Sequence, residues 1–143
     1  YGRVGKNGEK IEIRSSLILR LPVLIGYRLD KSIMDCLVSD LEENFETKFG
    51  LATESLTSKY YRENGYWLGP IWAPVTYLFI HALKNNGYEE AGNRLRNKFL
   101  DLTLTGGMAE NFDPLTGKGL VDTSFTWTSS VFLLLLENQV RGD

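Results

Sequence analysis

Apolar residues along this chain recur mainly with the spacing of amphipathic helices. One stripe follows Asp30, a residue type favoured at helix N-caps, and continues as far as Phe45. Its apolar positions are Ile33, Met34, Leu37, Val38, Leu41 and Phe45. Comparable stripes predict three further helices, from about Trp72 to Asn85, from Tyr88 to about Leu102, and from near Ser124 to near Asn138.

The predicted helices are expected to form antiparallel pairs. The link between the second and third helices is very short, so these two should pack as a hairpin. Pro74 fits the first turn of the second helix, and Gly87 suits its C-terminal stop. The stretch VFLLLL at 131–136 is apolar all round, which predicts a last helix buried on most sides. The pattern therefore favours an all-α fold with longer loops at alternate ends of the helix pairs.

The N-terminal part of the chain is less regular. Residues 1–10 carry Gly2, Gly5 and Gly8 among polar residues and are expected to form a loop. From Ile11 to Ile25 two interpretations stay open. Alternation at its start is typical of a short strand, whereas the apolar run that follows is compatible with a capped helix containing one awkward proline. Gly26 is expected to end this segment in either case.

Composition excludes several classes of protein. The chain has 143 residues, enough for one domain, with 43% hydrophobic and 24% charged residues. A formal net charge of −2 gives no basic surface for nucleic acid, and no run of about 18 apolar residues predicts a membrane span. The single cysteine, Cys36, excludes an intramolecular disulfide and is expected to be a buried thiol.

The long loop from Thr105 to Thr123 contains the clearest candidate for catalysis. Loops of this length inside compact domains are usually functional or disordered, and several apolar residues in this loop argue against disorder. Glu110 stands near its start, and Trp127 follows shortly after its end. A carboxylate on an anchored loop can deprotonate a water molecule, and an indole can stack on a sugar ring. Glu110 is therefore a candidate general base.

The acidic residues of this loop also have structural interpretations. Glu110 can instead cap a turn or pair with Lys118. Asp113 more plainly belongs to a turn, in the sequence DPLTG, and Asp122 fits an N-cap or an ion pair. These alternatives stay open at the level of local sequence.

A group of aromatic residues precedes the second predicted helix. Within thirteen residues stand Tyr60, Tyr61, Tyr66, Trp67 and Trp72. Such loop aromatics can line a sugar subsite, or they can close the end of a helical core. Glu54 and Ser55 either begin the same wall or belong to a solvated loop. The single histidine, His81, is expected to be structural, and no zinc spacing, phosphate loop, nucleophile elbow or dinucleotide fingerprint is present.

Four blocks of the sequence, in order, resemble a known enzyme family. The blocks GLATES, GYWLGPIWAP, AENFDPLTGKG and FTWTSSVFLLL are similar to those of glycoside hydrolase family 63 and its mannosylglycerate-hydrolase-like group, with looser versions in trehalases. The resemblance covers residues 21–136 and implies an (α/α)6 barrel and hydrolysis with inversion. It places the general base at Glu110. The substrate contacts that it implies are Trp67, Gly69, Trp72 and Trp127. Tyr66 and Phe112, which lie within the same blocks, are further candidates.

Two departures from the family pattern affect the interpretation. Relatives commonly carry Arg after the Trp of the YW-x-GP block, where this chain has Leu68. The general acid of the family is an Asp several helices upstream, and no block of this chain aligns with it. Because inverting glycosidases need two carboxyl groups roughly 6.5–9.5 Å apart, we expect residues 1–143 to be the C-terminal part of one catalytic domain, inactive alone.

The expected function is therefore part of an inverting α-glycosidase that acts on α-glucosides or α-mannosides. We expect an oligosaccharide or small glycoside as the ligand, with no cofactor or metal, no nucleic acid and no membrane. Its apolar helix faces should contact the remainder of the barrel or a second copy of the chain. A non-catalytic carbohydrate-binding module and a helical-repeat interaction protein are the alternatives, and the cellular compartment is not indicated.

Overall fold

Four α-helices form the framework of the described part of the chain. The computed structural model describes residues 2–4, 7–8, 10–12 and 14–141. The helices are α1 (Lys31–Asn44), α2 (Ala73–Asn85), α3 (Glu89–Gly106) and α4 (Thr126–Arg141), and a 3-10 segment (Leu17–Arg28) precedes them. Two short antiparallel hairpins complete the fold, β1 (Gly2–Val4) with β2 (Lys10–Glu12) and β3 (Asn111–Phe112) with β4 (Gly119–Leu120).

The predicted pairing of α2 and α3 is confirmed. Gly87, with φ +85°, makes the left-handed turn between them, and the two helices form the most extensive contact in the fold. Phe79 and Leu83 of α2 and Leu95 and Phe99 of α3 are fully buried in the common core. The third predicted helix was expected to end near Leu102, but α3 continues to Gly106.

The helix after Asp30 also forms, but its buried stripe is narrower than predicted. Met34, Val38 and Leu41 are buried, whereas Ile33 is 47% exposed. Cys36 is exposed, so the expectation of a buried thiol is wrong. The reason is rotational: in this helix the core lies on the side of residues 34, 38 and 41, and residues 33 and 36 fall outside that arc.

The last helix is not buried on most sides within the described chain. Val131 and Leu135 are buried, but Leu133 is 64% exposed and Leu134 is 42% exposed. Within the described residues, α4 packs mainly on α2 and α3. The apolar run therefore leaves a second face open.

The N-terminal part combines both interpretations that were left open. β2 covers residues 10–12, and the apolar run forms the 3-10 segment, which contains Pro22 and has non-helical backbone angles at Ile25. The expected loop over residues 1–10 contains strand β1 instead, and Gly26 lies within the 3-10 segment, which ends at Arg28. Gly5 and Ile13 lie outside the described residues.

The predicted all-α class is confirmed, with antiparallel helix pairs around one hydrophobic core. The N-terminal ends of α2 and α4 lie close together, since the ring centroids of Trp72 and Trp127 there are 6.4 Å apart. The loops before these two helices therefore share one end of the molecule. Among the described residues, no helix combines the length and the hydropathy that crossing a bilayer requires.

Candidate active site

Extended segments from distant parts of the chain form one hydrogen-bonded layer at this loop end. The amide of Leu17 donates to the carbonyl oxygen of Thr53 (2.9 Å), and the amide of Thr53 donates to that of Gly69 (3.1 Å). Ile71 and Phe112 exchange two bonds, of 2.8 and 3.0 Å. Consequently the blocks recognised in the sequence as separate motifs lie side by side.

Glu110 is fixed through its backbone while its carboxylate stays unengaged. Its amide donates to the carbonyl oxygen of Asp122 (2.7 Å), and the neighbouring Ala109 carbonyl accepts a hydrogen bond from the Thr128 hydroxyl (2.5 Å). The residue is half-buried. Within the part of the chain that the structure describes, its carboxylate forms no hydrogen bond or ion pair, and the alternative pairing with Lys118 does not occur. Glu110 thus has the anchored backbone and the free oxygen atoms that a base requires.

Asn111 adds a second unusual polar group beside Glu110. It is fully buried, and neither its amide nitrogen nor its side-chain oxygen has a partner among the described residues. Buried polar groups are nearly always hydrogen-bonded, and an unpaired one costs about 1–3 kcal/mol. Sequence reasoning missed this residue, because its position in the AENFDP block was the only feature that could have marked it.

Three of the aromatic residues before α2, namely Tyr66, Trp67 and Trp72, form one cluster. The rings of Trp67 and Trp72 stack with centroids 4.4 Å apart and planes 10° apart, and Tyr66 contacts Trp72 edge-on at 4.8 Å. Trp127 joins from the start of α4, with its centroid 6.4 Å from that of Trp72. Tyr66, Trp67 and Trp127 are exposed, at 54%, 42% and 53%. The cluster therefore presents aromatic surface to solvent at the same end as Glu110.

Three predicted substrate contacts lie beneath that surface. Trp72 is 1% exposed, Phe112 is 0% exposed and packs edge-on against Phe99 in the core, and Gly69 is buried. A Cβ atom on Gly69 would lie 2.5 Å from the carbonyl oxygen of Arg62, so this residue must be glycine for the loop to close. These three residues therefore present no appreciable surface to solvent.

The other acids of the layer accept hydrogen bonds from residues close to them in the chain. Asp113 is buried and accepts hydrogen bonds from the amide of Leu115 (2.9 Å) and the hydroxyl of Thr116 (2.5 Å), which confirms the predicted turn. Asp122 accepts a bond from the amide of Ser124 (2.9 Å). Glu54 is buried and accepts one from the hydroxyl of Ser58 (2.5 Å), so it belongs to the layer and not to a solvated loop.

His81 and Tyr61 titrate away from their ordinary ranges without forming a site. Burial, and then the nearby Lys84 cation, lowers the pKa of His81, whose ring packs on Tyr77 at 4.3 Å. Burial, followed by the charges of Asp113 and Glu63, raises the pKa of the Tyr61 hydroxyl. No group of three or more His, Cys, Asp or Glu side chains suited to a metal ion occurs among the described residues.

Comparison with known proteins finds similar glycoside hydrolases. A mannosylglycerate hydrolase from Rubrobacter radiotolerans is 38% identical over 68 residues, which are 48% of this chain and 15% of that protein. A crystal structure of a family 63 mannosylglycerate hydrolase from Thermus thermophilus, in complex with Tris and D-glycerate, superimposes with a TM-score of 0.80 at 26% identity. That superposition covers 91% of this chain and 32% of the other.

A neutral trehalase from Saccharomyces cerevisiae shares the fold at 22% identity, with a TM-score of 0.71 over 92% of this chain and 25% of that one. The chain thus spans about a third or less of the length of these relatives. The family model of the mannosylglycerate hydrolase MGH1-like glycoside hydrolase domain matches residues 3–128. The chain therefore belongs to the mannosylglycerate hydrolase MGH1-like glycoside hydrolases, and its fold is that of the family 63 and trehalase structures.

Proposed function

We propose that this chain contributes the general base and an aromatic wall to the active site of an inverting α-glycosidase. The observation that carries the proposal is the Glu110 carboxylate, which is half-buried, unpaired among the described residues and held by a backbone that two neighbouring segments anchor. Such a carboxylate can accept a proton from a water molecule that attacks the anomeric carbon. The general acid that protonates the leaving oxygen belongs to a part of the domain outside residues 1–143.

In this mechanism, exposed and buried aromatic residues have different roles. The exposed rings of Tyr66, Trp67 and Trp127 offer apolar faces on which the C–H face of a sugar can stack. The buried residues Trp72, Phe112 and Gly69 support those rings and the Glu110 loop and fix their relative positions. Alpha-mannosides and α-glucosides, including mannosylglycerate, are the substrates that we propose to test first.

The apolar faces of this chain are proposed contact surfaces for the rest of one catalytic domain. Leu133 and Leu134 form an open face on α4, and Leu24 and Ile25 are exposed on the 3-10 segment. In a closed ring of helix pairs each such face meets a neighbouring pair. We expect residues 1–143 produced alone to be inactive and to self-associate in light scattering. A monodisperse monomer would contradict this part of the proposal.

Substitution of Glu110 tests the proposed base. In the full-length protein, Glu110→Gln should lower kcat on the responsive glycoside by roughly 10²–10⁴-fold, the usual contribution of a general base. Glu90→Gln is the matched control, because Glu90 is exposed in the first turn of α3, at the opposite end of that helix from the Glu110 loop. Equal activity of the two variants would remove Glu110 from the mechanism.

A carbohydrate-binding function without hydrolysis is the second candidate. The exposed aromatic surface favours it, because stacking on Trp67 and Trp127 does not require Glu110. Sugar binding by the full-length protein, with no hydrolysis of any glycoside in the panel, would support this alternative over the first.

A further inference from the structure

The turn at Tyr66 has an uncommon backbone conformation for its residue type. Its φ is +60°, in the left-handed region that non-glycine residues enter at a cost. Strained residues of this kind persist where surrounding contacts enforce them, and they concentrate at functional sites. Tyr66 is more than half exposed, so burial of its own ring does not explain the strain.

A hydrogen bond from a buried indole links this turn to the core. The indole N–H of Trp72 donates to the carbonyl oxygen of Tyr66 (2.9 Å). Trp72 itself is 1% exposed and is the N-cap residue of α2, so the donor is fixed in place by the core. The peptide that follows this carbonyl leads directly into Trp67, so the bond also sets the direction of the next side chain.

The outcome of this arrangement is a stacked indole with one free face. Trp67 lies nearly parallel on Trp72, at 4.4 Å, and yet remains 42% exposed. Trp72 covers one face of the Trp67 ring, which leaves the opposite face and edge accessible. An indole presented in this way is a flat apolar platform of fixed tilt.

We propose that Tyr66 and Trp72 are positioning residues, and that the left-handed turn at Tyr66, tied to the Trp72 indole, sets the orientation of Trp67 as the sugar-stacking platform. The identity of the sugar ligand in this inference rests on the proposed glycosidase function, whereas the positioning of Trp67 does not. The Tyr66 ring also contacts both indoles edge-on, with its centroid 6.0 Å from that of Trp67 and 4.8 Å from that of Trp72. The proposed positioning role belongs to the backbone turn and not to this ring.

Two substitutions at position 66 separate the backbone from the ring. Tyr66→Asn and Tyr66→Val both remove the aromatic ring, but asparagine tolerates the left-handed conformation and a β-branched residue strongly opposes it. In the full-length protein, the near-ultraviolet circular dichroism of the stacked indole pair identifies the platform, with Trp67→Phe defining the signal to be lost. Far-ultraviolet spectra and thermal unfolding show that each variant is folded.

We expect Tyr66→Asn to keep the stacked-pair signal and Tyr66→Val to lose it. With mannosylglycerate as the probe, Tyr66→Val should raise KM roughly tenfold with little change in kcat, the loss of about one good ring contact. Tyr66→Asn should stay within about threefold of the parent KM, since it keeps that contact.

Three outcomes would overturn the proposal. Equal loss of the signal in both variants would make the ring the positioning element, and retention of the signal in both would show that the turn does not orient Trp67. Loss of the signal in Tyr66→Val with an unchanged KM on a hydrolysed substrate would show that the orientation of Trp67 does not affect substrate binding. If no glycoside is hydrolysed, the proposed function fails, whereas the spectra of the two variants still accept or reject the positioning role.

Discussion

Gly69 offers a quantitative test of how the aromatic segment is joined to the rest of the layer. It has φ +155°, and a Cβ atom there would lie 2.5 Å from the carbonyl oxygen of Arg62 and 2.8 Å from the Tyr61 ring. The Arg62 carbonyl cannot move freely, because it also accepts a hydrogen bond from the amide of Gly65 (3.1 Å). Gly69→Ala therefore adds a steric conflict to a backbone conformation that alanine rarely adopts.

The expected magnitude follows from comparison with Gly87. The φ of Gly87 is +85°, but a Cβ atom there would meet nothing within 4 Å. Gly87→Ala should thus cost only the left-handed conformation, about 1–2 kcal/mol. Gly69→Ala should cost a similar backbone term plus about 1–3 kcal/mol for the overlap. Both substitutions restrict the unfolded chain equally, so this effect cancels in the comparison.

Urea unfolding of the two variants measures the difference. We expect Gly69→Ala to lower the free energy of unfolding by about 1–3 kcal/mol more than Gly87→Ala does, with a similar dependence on urea concentration. If Gly69→Ala is no more destabilising than Gly87→Ala, then the contact with the Arg62 carbonyl is not the constraint that we infer.

Three other expectations concern stability. Val121 is 67% exposed with φ +63°, so Val121→Gly should raise the free energy of unfolding by about 1 kcal/mol in urea melts, and an unchanged or lower value would contradict the inferred strain. Burial alone would raise the pKa of Glu46, but hydrogen bonds from Arg94 and Lys98 outweigh it and hold that pKa below its ordinary 4.5. The resulting stabilisation is present above pH 4.5 and is lost as the pH falls through the folded-state pKa. Glu46→Gln should therefore reduce the loss of unfolding free energy at acid pH, and an equal loss in the parent and the variant would refute this. Because the folded-state pKa of His81 lies below its ordinary 6.5, stability should decrease as the pH falls below 6.5, and His81→Gln should remove that part of the slope in thermal melts across this range.

Local patterns in the sequence predicted much of the helical framework. The period of apolar residues identified all four helices, and Pro74 and Gly87 marked the start and end of α2 because their backbone restrictions act locally. The burial of individual residues was harder to predict. Cys36 and Leu133 stand within apolar stripes, but which side of a helix is covered depends on neighbours that the stripe itself does not specify.

The candidate site was only partly visible in the sequence. Glu110 could be selected because it lies in a long, punctuated loop and in a family block. The hydrogen-bonded layer that places this loop beside the aromatic residues could not be predicted, because bonds such as those between Ile71 and Phe112 join residues far apart in the chain. The left-handed turn at Tyr66 was equally hidden, because nothing in a tyrosine indicates a positive φ.

The central claim, that Glu110 activates the attacking water in an inverting reaction, is tested most directly by chemical rescue. Glu110→Ala in the full-length protein removes the base, and azide, a nucleophile that needs no deprotonation, can attack the anomeric carbon in place of water while the leaving oxygen takes its proton from the general acid. The measurement is the nuclear magnetic resonance spectrum of the product formed from an α-mannoside or α-glucoside with and without azide. We predict a nearly inactive variant whose turnover returns with azide and yields the β-glycosyl azide. Turnover of Glu110→Ala at the parent rate without azide, or an α-glycosyl azide as the product, would contradict the assignment.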